Sequence, residues 1–104
     1  MLREVIKILE GLDLKPSDHR IYSLLLERKE LSVREIAKEL NLSTRFVRER
    51  LRELHRRGII RRRLVEKGWI GYVYGAEDPK VVVARIKSHL LSEFAKLEKI
   101  LESF

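Results

Sequence analysis

Arginine is the residue whose density and spacing in this sequence could do chemistry. Nine of the twenty residues from Thr44 to Arg63, TRFVRERLRELHRRGIIRRR, are arginine. A guanidinium stays charged at physiological pH and presents a planar fork of N–H donors, so it matches phosphate oxygens and the O6 and N7 edge of guanine. The formal net charge is +7, and the excess is local: residues 43–67 hold ten Lys or Arg against three Asp or Glu, while the rest of the chain holds thirteen of each.

Spacing decides which way these cations point. On a wheel of about 100° per residue with Val47 at zero, Leu51 falls near 40° and Leu54 near −20°, a narrow apolar stripe. Arg48 lies at about 100°, Arg52 at about 140°, Arg45 at about 160° and Arg56 at about 180°. Residues 44–57 are therefore expected to form a helix that docks by one face and offers a row of arginines on the other. Such a helix fits the major groove of B-DNA, about 12 Å wide. Arg45 and Arg48, with Thr44 and Arg52, are the candidates for base edges, because residues toward the N-terminus of an inserted helix reach them. Arg34, Arg56 and Arg57, together with Ser32 and Ser43, are candidates for phosphate contacts, which fix position without reading sequence. Glu49, inside the row, is expected to pair with Arg45 or Arg52 rather than to accept from cytosine N4.

The elements that must position this helix are legible from apolar periodicity and end signals. Leu2, Val5, Ile6, Ile8, Leu9 and Leu12 predict a first short helix ending near Gly11 and Asp13. Pro16 opens a second helix, in which Ile21, Tyr22, Leu24, Leu25 and Leu26 form a broad buried face as far as Arg28. Ser32 and Glu35 form a capping box for a short third helix with Ile36, Ala37 and Leu40 inward, and Asn41 suits the left-handed residue that ends it. Ser43 caps the arginine helix and Gly58 terminates it.

Next, IIRRRLVEKGWIGYVYG places β-branched and aromatic residues on both sides of a turn at Gly68, which predicts a hairpin. Arg61, Arg62, Arg63 and Lys67 make this hairpin a basic wing able to follow the backbone or enter the minor groove. Strand alternation separates Arg62 from Arg61 and Arg63, and which face meets DNA is left open. Trp69, Tyr72 and Tyr74 are expected to pack in the core rather than to stack on bases. Two helices, a tight turn and a ribbon are the parts of a winged helix-turn-helix. The fold class is mainly α with a small β-hairpin wing, in which residues 1–76 are the DNA-binding domain and 77–104 a C-terminal helix for dimerisation.

That last helix opens at Asp78 and Pro79. Val83, Ile86, Leu90, Phe94, Leu97 and Leu101 recur at three-and-four spacing along some 26 residues, about 39 Å, more than so small a domain can cover. A second copy across a two-fold axis is the expected partner. The mixed charges on its polar face argue against a membrane-surface helix.

SVREIAKELNLSTRFVRERLRELHRRGIIRR resembles the winged helix-turn-helix of archaeal TrmB-type and MarR-like transcription regulators. The upstream GLDLKPSDHRIYSLLL is similar to the TrmB-type opening, matched by Gly11, Leu12, Asp18, Tyr22, Leu25 and Leu26. The resemblance covers residues 1–76 and implies sequence-specific binding of double-stranded DNA as a homodimer, with no cofactor. Sugar-responsive members of the family carry a large C-terminal effector domain, and with the chain ending at Phe104, sugar binding is not expected. No convergent polar set points to another small-molecule effector.

Other functions fit less well. Cysteine is absent, His19, His55 and His89 are scattered, and neither a glycine-rich phosphate loop nor a nucleophile elbow occurs, so no metal site and no enzyme is expected. No apolar run approaches the roughly 20 residues of a membrane span, and the N-terminus lacks a signal-peptide core, so a cytoplasmic protein is expected. Glutamine is absent and Asn41 is the sole asparagine, a depletion that fits a heat-adapted organism. The alternative function is a winged-helix module that joins a transcription or assembly complex through protein contacts, which the charge at the centre of its exposed face disfavours.

Overall fold

The computed structural model describes residues 14–104. The first short helix expected over Leu2 to Leu12 lies outside the described residues, as do Gly11 and Leu12 of the family opening.

Local signals set most of the helix ends. In α1 (Pro16–Arg28), Pro16 occupies the first turn and Asp18 accepts the Lys15 amide at 2.9 Å. Lys29 closes the helix at φ 72°, its amide bonded to the Leu25 carbonyl. The expected capping box opens α2 (Val33–Leu40): Ser32 Oγ accepts the Glu35 amide at 3.2 Å, and Glu35 accepts the Ser32 amide at 3.0 Å. Asn41 stops α2 in the left-handed conformation. A tight turn leads to α3 (Thr44–Arg56), where Ser43 Oγ accepts the Phe46 amide at 3.1 Å. Gly58 follows with φ +74°, a conformation that a side chain would strain. Asp78 caps the long α4 (Pro79–Glu102) through the Lys80 amide.

The β part differs from the expected two-stranded ribbon. β2 (Ile60–Glu66) and β3 (Ile70–Ala76) pair antiparallel from Ile60 opposite Ala76 to Glu66 opposite Ile70, with Gly68 at φ +71° in the turn. A third strand, β1 (Leu31–Ser32), joins the other edge of β3, giving the order β1–β3–β2. Two residues leave no periodic trace in a sequence, so this strand is fixed by its distant partners Val73 and Tyr74. Its pairing covers the inner edge of β3 and fastens the wing to the start of α2.

The core lies where α1, α2 and α3 meet the base of the sheet. Ile21, Leu25, Ile36, Val47, Leu51, Leu54 and Ile60 are fully buried, with Leu31, Ile59, Tyr74, Ala76 and Val82 around them. Each such aliphatic side chain contributes about 1.5–3 kcal/mol by leaving water. The expected buried face of α1 is narrower than its apolar content implied, since Leu26 is exposed. The aromatic expectation holds for Tyr74 alone, which is buried in the core, whereas Trp69 and Tyr72 on the same hairpin are exposed. The molecule measures 59 × 24 × 22 Å, elongated because α4 extends for about 36 Å, well past a domain of this size.

Candidate nucleic-acid interface

The row of arginines on α3 rests on a dry seam. Val47, Leu51 and Leu54 are 0% exposed, and Thr44, Arg45, Arg48, Glu49 and Arg52 stand on the exposed side of the same helix. With the seam locked, rotation of α3 about its axis would draw apolar side chains into water, so the outward direction of Arg45, Arg48 and Arg52 is set by the core. No ion pair among the described residues joins Glu49 to Arg45 or Arg52, contrary to the expected pairing.

A second anchor was not foreseen. Arg50 is 8% exposed and Asp18 is 1% exposed. The Arg50 guanidinium donates Nε to Oδ1 and Nη2 to Oδ2 of Asp18, both at 2.8 Å. This fork joins α3 to the first turn of α1. Burial alone would push the Asp18 carboxyl up, but the Arg50 fork and the Lys15 amide outweigh it and hold the group below the usual carboxylate value. The sequence did carry a signal: Arg50 falls at about −60° on the wheel, beside Leu54 and inside the buried arc. An arginine in that arc needs a carboxylate, and Asp18 belongs to the family opening.

Glu53 organises the C-terminal end of α3. Arg56 donates to it at 2.6 and 3.0 Å, and Arg57 donates at 2.8 Å. The hydrogen bond from Arg56, then that from Arg57, override burial and lower the Glu53 carboxyl to about 2. Arg56 and Arg57, expected at phosphates, thus sit side by side on one carboxylate, Arg56 exposed and Arg57 partly covered. Of the other phosphate candidates, Arg34 is exposed on α2, and the hydroxyl oxygens of Ser32 and Ser43 accept the amides at the starts of α2 and α3.

On the wing, strand alternation separates the arginines as required. Arg61 turns back to donate to the Ala76 carbonyl, lying over Gly75, where a Cβ would stand 3.0 Å from the Lys29 carbonyl oxygen and 3.3 Å from the Arg61 guanidinium. Arg63, on the same side, pairs with Glu30 at 3.1 and 3.2 Å. Arg62 points to the other side and covers the Tyr72 ring at 4.4 Å from its centroid. Lys67 is exposed in the turn.

The residues expected to mediate dimerisation divide. Val83, Phe94 and Leu101 are exposed, joined by Leu91, and Leu90 is half-buried. Ile86 packs on the domain core and Leu97 is buried within the chain. Among the described residues no group of His, Asp or Glu could hold a metal ion, and no helix is long and apolar enough to cross a membrane.

Comparison with known proteins agrees with this geometry. The model of a family described as sugar-specific transcriptional regulator TrmB matches residues 9–84. No curated protein matches the chain in sequence. Among solved structures, a possible transcriptional regulator from Methanosarcina mazei Go1 superposes with a TM-score of 0.73 at 19% identity, covering 96% of this chain and 88% of that one. Staphylococcus aureus MepR, as a point mutant bound to an oligodeoxyribonucleotide, gives a TM-score of 0.58 at 24% identity over 93% of this chain and 70% of its own. Lactococcus lactis ZitR, as a cysteine-to-serine mutant in complex with DNA, gives 0.57 at 17% over 89% and 64%. These likenesses share the winged-helix fold.

Proposed function

The chain belongs to the TrmB family of transcriptional regulators, and from that membership we propose that it binds double-stranded DNA sequence-specifically as a homodimer. In this reading α3 enters the major groove, Arg45 and Arg48, with Thr44 and Arg52, meet base edges, and the wing follows the neighbouring backbone or minor groove. Arg34, Arg56 and Arg57, with the hydroxyls of Ser32 and Ser43, hold phosphates. DNA, the ligand of MepR and ZitR in their structures, is the ligand proposed for this chain.

The observation that carries the reading is the exposed row Arg45, Arg48 and Arg52 above the fully buried Val47, Leu51 and Leu54. A helix locked by its seam has already lost the rotational freedom that docking would otherwise cost, while the exposed arginine side chains remain free to adjust. Exposed Val83, Leu91, Phe94 and Leu101 on α4 supply an apolar face for a second copy, which would set two copies of α3 about 34 Å apart, one turn of the duplex.

The test is the salt dependence of binding to genomic DNA fragments. Neutralising six to ten phosphates makes the logarithm of affinity fall against the logarithm of salt with a slope of about −5 to −9. A flat response between about 50 and 200 mM salt would remove the reading.

A further inference from the structure

Between the wing and the helices runs an open groove whose two walls differ in chemistry. Arg34 on α2 and Arg48 on α3 make one wall basic, and Trp69, Ile70 and Tyr72 of β3 and its turn make the other apolar. Trp69 is 48% exposed and Ile70 is 76% exposed. In the hairpin register Arg62 faces Tyr74 and Leu64 faces Tyr72, so Arg62, exposed Leu64 and the tyrosines share one side of the ribbon. The arginines of the opposite side are committed, Arg61 to the Ala76 carbonyl and Arg63 to Glu30. The carboxylate lining the groove, Glu35, is bound to the Ser32 amide.

A helix in one groove of the duplex and a wing in the next must straddle the sugar–phosphate strand between them. That strand alternates anionic phosphates with C–H faces of deoxyribose, and the groove offers both complements. We propose that this groove holds that strand, with a phosphate on Arg34, Arg48 reaching past it toward the base edges, and sugar faces against Trp69, Ile70 and Tyr72. The apolar side of the wing, not the side of Arg61 and Arg63, is then the side that meets DNA. The proposal rests on the reading that the ligand is duplex DNA.

Two observations favour a sugar–phosphate strand over other occupants. The Trp69 ring lies against Gly71, where a Cβ would come within 2.3 Å of it, and Arg62 covers the Tyr72 ring, so neither ring is free on both faces to sandwich an unpaired base. The arginines of the facing wall leave charge inside the groove, which the core of a protein interface is poor in.

Trp69 is the single tryptophan, so its emission reports on this wall alone. The full chain would be titrated with a mixed-sequence duplex of about 30 base pairs at about 50 mM salt, where backbone contacts suffice for binding. Acrylamide quenching of Trp69 is expected to fall about twofold or more as the exposed ring is covered. Trp69→Ala should weaken binding about three- to tenfold through lost apolar contact, with the salt slope unchanged. Arg34→Ala should instead reduce the slope by about one, and Trp69→Phe, which restores an aromatic wall, should recover most of the affinity. Duplex binding that leaves Trp69 equally open to acrylamide and unaffected by Trp69→Ala would overturn the proposal while leaving the DNA reading intact. Tighter binding of a single strand of the same length would overturn it too, by giving the rings to unpaired bases. Absence of duplex binding at this salt would sink the DNA reading and this proposal with it.

Discussion

Arg50 and Asp18 act as one group, because neither is tolerable without the other. Both are buried, and removing one partner of such a pair leaves an uncompensated charge at a cost of about 3–5 kcal/mol. Asp18→Asn should therefore lower unfolding stability by about that amount at neutral pH, measured by urea denaturation, although Asn is nearly the same shape. Acid should act on Asp18 and on Glu53. A carboxylate whose pKa is lower in the folded chain keeps its stabilisation above the unfolded value and loses it as pH falls through the folded one. For Glu53 that window runs from its ordinary 4.5 down to about 2, and Asp18 adds to it below its ordinary 3.8. The urea midpoint should be insensitive to these groups above about pH 5 and decline below 4.5, with a shallower decline in Asp18→Asn. A midpoint unchanged down to pH 3 would show that these ion pairs do not form.

At the scale of elements, the proposed DNA contacts divide between α3 and the wing. Arg45 stands on the exposed face of a rigid helix, so Arg45→Ala should reduce discrimination between DNA sequences, by about 1–3 kcal/mol at the position it reads. Arg62 stacks on Tyr72 in the wing, so Arg62→Ala should weaken all sequences alike and lower the salt slope by about one. Equal losses on all sequences for both variants, measured by competition binding, would refute the division. The helices were legible beforehand because their determinants are local: a hydroxyl and a carboxylate three residues apart at Ser32 and Glu35, a left-handed residue at Asn41, an apolar stripe at Val47, Leu51 and Leu54. What sequence could not show depends on contacts distant along the chain. β1 exists because Leu31 and Ser32 meet Tyr74 and Val73, and Trp69 and Tyr72 stay exposed because the groove between the hairpin and the helices is open. Arg50 lies between these cases, its place in the buried arc readable from the wheel but its partner more than thirty residues away.

At the scale of the whole molecule, the proposed dimer converts two weak contacts into one strong one. A single α3 and wing touch one half-site, and a second copy fixed through α4 makes the second contact intramolecular, multiplying affinity where the spacing matches. Exposed Phe94 and Leu101 lie on the far part of α4, away from the core packing of Ile86, so charging them should separate the copies without unfolding the domain. Phe94→Glu combined with Leu101→Glu is expected to halve the mass in sedimentation equilibrium at micromolar concentration, with helical circular dichroism retained. The salt slope should then drop to about half, because only one set of phosphates is neutralised. A site carrying about five extra base pairs between its halves turns one half by about 180°, beyond the reach of a rigid α4 pair. Wild-type protein should bind that site about as the separated variant binds any site, and the variant should not sense the insertion at all. If the wild type were equally indifferent, the two copies of α3 would not be coupled through α4, whatever held them together in solution.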